Sequence, residues 1–394
     1  MIDLDQILYA DRFAFLQRGK DKRLDSLLSA IKSLFFTTFK FPSNRSAEFI
    51  FFRSLVRDDY KNLMHEVAST VPTEKSIIIE DYLRNRSKPA PMAFILALRL
   101  LPAITKIQAT DIYERIFLYL RLCFYYRILR SLSKFEFNTI VFFADMQPVE
   151  CLLAQHFRHT GKRTVTLQHG LYVDYGDLPT VNVINYRHQP SEYFLAWGQN
   201  TADLIQRSGI NRKVFICGKP SIALSATHRD TAAPHDTHPK HYFTVILDQN
   251  IFQEHNIKMI MLLDEYARDR NLTMNVRYHP GNKRATYEQL GADYCTNLQI
   301  ESSQFVVGHT SSLLYEVMLL GIPVVKFKTE VPCIAIPSDL TFESKPELEY
   351  ALSKASSYNF SKLSTDYIAY FGSESLNKYE EFFSRLNSDT NPCY

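Results

Sequence analysis

The chain has no close pairs of cysteines. Its six cysteines stand at 123, 151, 217, 295, 333 and 393, and no Cys-x-x-Cys occurs among its 394 residues. That spacing argues against a zinc site and a disulfide scaffold and points to reduced thiols. Long apolar runs are missing too. The nearest, residues 116–129, is broken by Arg121 and Arg127, so no membrane-spanning helix is expected. The N-terminal Met1-Ile2-Asp3-Leu4-Asp5 is acidic and carries no signal-peptide pattern, which leads us to expect a cytoplasmic chain. Nor is there an excess of one charge: 45 Lys and Arg against 42 Asp and Glu leave +3, so nucleic acid is not an expected partner. Trp occurs once, although Tyr (23) and Phe (28) are plentiful.

What is present is an ordinary globular composition, 46% hydrophobic and 22% charged, on a chain long enough for two domains. Residues 1–45 read as helical with a basic end, and residues 48–52 and 76–79 as strands. Helices are predicted over 92–101 and 111–132. The second of these is rich in aromatics and arginines, including Arg115, Arg121, Arg127 and Arg130. Two readings of it stand side by side. It is a buried core helix with snorkelling arginines, or a surface that rests on anionic lipid or holds a lipid-linked acceptor.

From Asn138 onward strands and helices alternate. Strands are predicted at 139–143, 163–167, 193–198 and 213–218, with helices at 148–159 and 201–208 between them. Residues 225–241 are polar and read as a linker. They hold His228, His235, His238 and His241, but no rigid element fixes them, and neither a metal nor a cofactor is expected. A second alternation follows, with strands at 242–247 and 272–278 and a helix at 256–269. The division expected is 1–224, a linker 225–241, a second domain 242–360, and a tail 361–394 that packs back on the first domain.

One stretch, Gln304 to Lys326, organises the second half. Phe305-Val306-Val307 is a short buried strand, and Gly308 is expected to permit the turn after it. Thr310, Ser311 and Ser312 offer hydroxyls and a cap at the start of a helix with an apolar face. Gly321 suits the left-handed position past the helix end, and Pro323 cannot continue it. A hydroxyl-rich turn with small residues lets a phosphate approach unpaired N–H groups. Glu316, one helical turn after Ser312, is placed to accept bonds from ribose hydroxyls.

Two Rossmann-like halves joined by a linker resemble a GT-B glycosyltransferase, an α/β fold in which two such domains face a cleft, here with extra N-terminal helices. Arg277-Tyr278-His279-Pro280 resembles the His-Pro motif, and Thr310-Ser311-Ser312 the serine motif, of bacterial sialyltransferases and polysialyltransferases that use CMP-sugars. Gln168-His169-Gly170 and Gly218-Lys219-Pro220 are similar to stretches in CDP-glycerol glycerophosphotransferases and capsule transferases, including those that move Kdo. The resemblance covers roughly residues 139–350.

It implies transfer of a sialic acid- or Kdo-like sugar, without a metal, from a CMP- or CDP-activated donor to a surface polysaccharide or lipid-linked glycan. The work is expected at or near the inner face of the membrane. Arg277, His279, Pro280, Lys283, Gly308, Thr310, Ser311, Ser312, Glu316 and Lys219 are the expected donor-binding residues. The sialyltransferases' acidic Asp/Glu-Asp/Glu-Gly motif is absent, so the base stays open: His169 is the first candidate, with Asp145, Glu150, Asp174 and Asp177 as rivals. Other readings are a teichoic-acid type glycerol- or ribitol-phosphate transferase, a nucleotide-sugar 2-epimerase and a non-catalytic nucleotide-binding partner in capsule assembly.

Overall fold

A computed structural model describes residues 2–170, 172–173, 189–207, 212–221, 241–279, 282, 285–288, 293–294, 300–331 and 336–388. In chain order the first half holds α1 (Leu4–Gln17), α2 (Arg23–Phe36), β1 (Thr37–Phe39), β2 (Phe49–Phe52), α3 (Asp58–Ala68), β3 (Ser76–Ile79), β4 (Leu83–Asn85), α4 (Pro91–Leu100), α5 (Ile112–Leu132), β5 (Thr139–Phe142), α6 (Pro148–His159), β6 (Arg163–Leu167), β7 (Tyr193–Ala196), α7 (Gln199–Arg207) and β8 (Lys213–Ile216). The second half holds β9 (Tyr242–Ile246), α8 (Gln253–Arg270), β10 (Thr273–Arg277), α9 (Ala285–Glu288), β11 (Asp293–Tyr294), β12 (Val306–Gly308), α10 (Leu313–Leu319), β13 (Val324–Phe327), β14 (Thr341–Phe342), α11 (Lys345–Ala355), α12 (Phe360–Ser364) and α13 (Gly372–Ser388).

Two six-stranded sheets result, in the orders β3-β2-β5-β6-β7-β8 and β11-β10-β9-β12-β13-β14. Every neighbouring pair in both is parallel. Each order reverses direction once, between β2 and β5 in the first sheet and between β9 and β12 in the second. At such a reversal the connecting helices leave to opposite faces and open a crevice beyond the strands' carboxyl ends.

Strands buried on both faces read as continuous apolar runs, and β2 shows why. Phe49 and Phe51 pack with α3 and α13 on one face, while Ile50 and Phe52 pack with α1, α2, α4, α5 and α6 on the other. The second sheet divides likewise: Phe243 and Val245 pack against α8 and α11, and Ile246, Val306 and Val324 against α10. Burying one such side chain is worth roughly 1.5–3 kcal/mol.

One expectation is corrected here, and one of the two readings of α5 gains support. Residues 1–45 are not wholly helical, since Thr37–Phe39 turns into a strand paired antiparallel with β4. Two α5 arginines also do not face outward. Arg127 donates to the carbonyls of Leu34 and Thr37, and Arg121 Nε donates to Asp11 Oδ1 at 3.2 Å. The helix is packed on several sides, and these two cations satisfy neighbouring helices, while Arg130 near its end is exposed. Asp111 caps α5 by accepting from the Glu114 N–H at 2.8 Å.

The chain crosses back after α12. Gly198 and Gly218, at the carboxyl ends of β7 and β8, leave no room for a side chain: a Cβ on Gly198 would lie 2.5 Å from the Tyr367 carbonyl carbon, and one on Gly218 would meet the Tyr370 backbone. Gly218 also has φ of +78°, a left-handed conformation that favours glycine. Beyond this crossing, Tyr379, Phe382 and Phe383 of α13 join the core of the first sheet.

Candidate active site

The reversal point of the second sheet gathers a polar network. Asp248 follows β9 and His309 follows β12, on adjacent strands. Asn256, buried near the start of α8, ties them together. Its Oδ1 accepts from the Asp248 N–H at 3.1 Å and faces His309 Nε2 at 3.1 Å, while its Nδ2 donates to the Asp248 carbonyl and to the Tyr287 hydroxyl. His309 is fully buried, and burial, with His255 and Lys326 nearby, lowers its pKa to about 3. The ring is therefore neutral near pH 7. Its Nδ1 and the buried Thr310 Oγ1 have no hydrogen-bond partner among the described residues. Burial also raises the Asp248 pKa to about 6.

The hydroxyl turn differs in detail from its expected form. Ser311 accepts the Leu313 N–H at 3.3 Å, while Ser312, at the N-cap position, makes no side-chain cap bond. The helix that follows is short, so the turn's hydroxyls and buried imidazole count for more than a helix dipole. Gly308 does not serve a left-handed turn; a Cβ there would lie 3.0 Å from the Leu314 side chain and 3.2 Å from the Ile246 carbonyl. Its role is close packing. Gly321 has φ of +75° and ends the helix as its position suggested.

Arg277 ends β10 next to β9, and His279 follows it, both half-buried. Glu316 and Lys219 are not two open ligand groups. They form an ion pair with each other, and Lys219 Nζ also lies 4.9 Å from the centre of the Trp197 ring. Pro280, Lys283, Asp174 and Asp177 lie outside the described residues, as do His228, His235 and His238.

In the first sheet His169 follows β6. Its ring is boxed by Tyr60, Phe143 and Tyr172 at centroid distances of 5.7, 5.4 and 5.7 Å. The Tyr172 hydroxyl lies 3.4 Å from His169 Nδ1 and accepts from Gln189 Nε2 at 2.8 Å. The tautomer that donates from Nδ1 to Tyr172 makes Nε2 the basic atom.

The rival carboxylates sit deeper. Glu150 is fully buried and clasps two strand exits: it accepts from Ser54 N–H at 2.8 Å, Ser54 Oγ at 2.6 Å and Ala144 N–H at 2.6 Å. Burial raises its pKa to about 7 against the pull of those donors. Asp145, also fully buried, accepts from the Ser191 N–H at 2.8 Å, and burial raises its pKa.

Beside Glu150, at the reversal point between β2 and β5, opens a cavity of about 540 Å³. Ser54, Gln147 and Val149 line it from beyond the carboxyl ends of β2 and β5, and Ser29, Lys32 and Tyr125 from α2 and α5. Nothing in the sequence marks this cavity or the Asn256 network. His309 stands beside the serine turn and was legible as a polar neighbour, but nothing near Asn256 in sequence announces its partners.

No protein-family model matches the chain, and a search of curated proteins finds no match. Solved structures share its fold. MnaA of S. aureus, in a co-structure with UDP, is 13% identical over 86% of this chain and 97% of that one, with a TM-score of 0.54. UDP-GlcNAc 2-epimerase of Methanocaldococcus jannaschii, in complex with UDP-GlcNAc and UDP, is 12% identical over 87% and 99%, with a TM-score of 0.53. The UDP-N-acetylglucosamine 2-epimerase of Rickettsia bellii is 12% identical over 87% and 96%, at 0.52. The likeness is one of fold: this is a GT-B architecture of two Rossmann-like halves.

Proposed function

We propose that the protein is a glycosyltransferase that takes a sugar from a pyrimidine-nucleotide donor bound at the second sheet and passes it to an acceptor bound at the first. The observation that carries this reading is the cavity of about 540 Å³ at the first sheet's reversal point. A transferase needs a second substrate site on the half opposite the donor, and an epimerase does not. The Thr310 hydroxyl and His309 Nδ1, which have no partner among the described residues, supply polar groups at the second reversal point, where nucleotides bind in such folds.

In the reaction, His169 Nε2 takes the proton of the acceptor hydroxyl as its oxygen bonds the sugar's anomeric carbon. The bond from that carbon to the phosphate oxygen breaks, and the nucleotide leaves with the negative charge. Arg277, His279 and the donors of the Thr310–Ser312 turn face that charge. Glu150 and Asp145 hold loops rather than protons in transit, because each is buried and held by hydrogen-bond donors of the protein. The motifs Arg277–Pro280 and Thr310–Ser312 favour a cytidine nucleotide, and with it a sialic acid- or Kdo-like sugar and a surface-glycan acceptor.

A second reading, nucleotide-sugar 2-epimerisation, is favoured by the activities of the solved proteins that share the fold. Thermal shift against CMP, CDP, UDP, GDP and their sugars separates the donors; saturation at about 100 times the dissociation constant adds about 2.7 kcal/mol. Conversion of a free UDP-sugar to its 2-epimer without any acceptor would overturn the transferase reading.

A further inference from the structure

Of the eighteen large apolar side chains exposed among the described residues, twelve lie in α1, α2, α4 with the turn after it, and the start of α5. They form a surface rather than a scatter. On α2, Leu24, Leu28 and Ile31 make one stripe that continues into Phe35. On α4 and the turn after it, Phe94, Leu98 and Leu101 make another. The two meet where the Phe35 and Phe94 rings touch at a tilt of 38°, with centroids 4.5 Å apart.

Contacts with α5 fix the directions. Arg23 at the start of α2 pairs with Asp111 at the start of α5, and Arg127 late in α5 donates to Leu34 and Thr37 at the end of α2, so these helices are parallel. Arg130 late in α5 reaches Met92 at the start of α4, and Tyr119, earlier in α5, donates to the Ala97 carbonyl, so α4 is antiparallel to both. From the Phe35–Phe94 contact both stripes therefore run the same way, side by side, for about 10 Å. Ile112 and Ile116 lie at the far end.

The charge beside this face is mainly positive, although Asp21 and Asp25, before and at the start of α2, add two exposed carboxylates. Between residues 82 and 110 the chain has Arg84, Arg86, Lys88, Arg99 and Lys106 and no Asp or Glu. All five are exposed, and none pairs with a carboxylate among the described residues. We propose that this α2–α4–α5 face seats on an anionic lipid bilayer. The apolar stripes enter the headgroup boundary, and the cations meet the lipid phosphates. A two-fold contact with a second copy would set the same five cations against each other. The α2 side chains next to the apolar stripe, Ser29 and Lys32, line the 540 Å³ cavity. On the transferase reading above, the seat therefore brings the acceptor site to the lipid surface.

The test is flotation of the full chain with phosphatidylcholine vesicles, with and without phosphatidylglycerol. Recovery is expected to be about tenfold higher with the anionic vesicles and to fall at high salt. The variant Leu28→Glu with Leu98→Glu changes side chains that are 56% and 72% exposed, so it should keep the wild-type melting temperature and nucleotide response. It should lose about tenfold in recovery. Equal recovery from neutral and anionic vesicles, or undiminished recovery of the variant, overturns the proposal. So does a solution dimer that the variant dissolves, with no vesicle binding by wild type. The nucleotide shift, measured on the same samples, reports on the donor site whatever the vesicles show.

Discussion

Lys219, from the end of the first half, and Glu316, from α10 of the second, form an ion pair with side chains only 14% and 4% exposed. This pair links the two halves where the chain crosses back, and it takes up two groups that the motifs alone assign to the donor. Removing one partner of a buried pair leaves the other charge uncompensated. Lys219→Met should therefore lower stability by about 3–5 kcal/mol, and adding Glu316→Leu should recover most of that loss. Urea denaturation of the two single variants and the double variant measures the coupling. Additive losses would mean the pair contributes no coupling energy.

Thr310 tests the donor turn. Its hydroxyl is buried without a partner among the described residues, an arrangement that costs stability on its own. Thr310→Val should raise stability by about 1 kcal/mol and weaken nucleotide binding by about tenfold or more. Calorimetry of nucleotide binding beside a thermal melt reads both. A stabilised variant with unchanged affinity would remove the hydroxyl from the donor site.

His169 and Glu150 separate catalysis from scaffolding. His169→Ala should keep nucleotide binding and lose about 10² to 10⁴ in turnover, the usual range for a lost general base. Glu150→Gln faces an amide donor toward a donor of Ser54 or Ala144 and should cost about 2 kcal/mol of stability. Turnover per folded molecule should change little. A Glu150 variant that folds fully but is inactive, beside an active His169→Ala, would reverse the two roles.

His309 sets a pH dependence of known sign. Burial holds its pKa at about 3, below the ordinary value near 6.5 of the unfolded chain. Its contribution is complete above about pH 6.5 and is lost as pH falls toward 3, at up to about 1.4 kcal/mol per pH unit. Glu150 runs the other way. Its raised pKa of about 7 gives stability that is complete below about pH 4.5 and lost as pH rises through 7. The stability difference between wild type and His309→Asn should shrink steadily from pH 6.5 to 4. A difference that does not move with pH would mean that His309 is protonated in the fold.

Gly218→Ala should be among the most damaging small substitutions. The residue has φ of +78°, and an added Cβ meets the Tyr370 backbone, which a side-chain rotation cannot move. A loss of more than about 2 kcal/mol is expected in a thermal or urea melt. A wild-type melt would mean that the crossing segment is free to shift.

The sequence alone determined the elements and their class. Runs such as Thr139–Phe142 and Arg163–Leu167 are strands because β-branched and aromatic residues fill positions buried on both faces, and Pro148–His159 is a helix because proline opens it and its apolar side faces the sheet. Those are local signals, read within a dozen residues. The left-handed Gly321 past the end of its helix was legible for the same reason. Tertiary structure alone decided the strand orders, and with them the two reversal points where the Asn256 network and the cavity lie. It turned Arg121 and Arg127 inward, because helices distant in sequence offered them Asp11, Leu34 and Thr37. It also paired Lys219 with Glu316 across nearly a hundred residues. Residue type fixes what a side chain can bond to; which partner stands within 3 Å depends on how the whole chain packs.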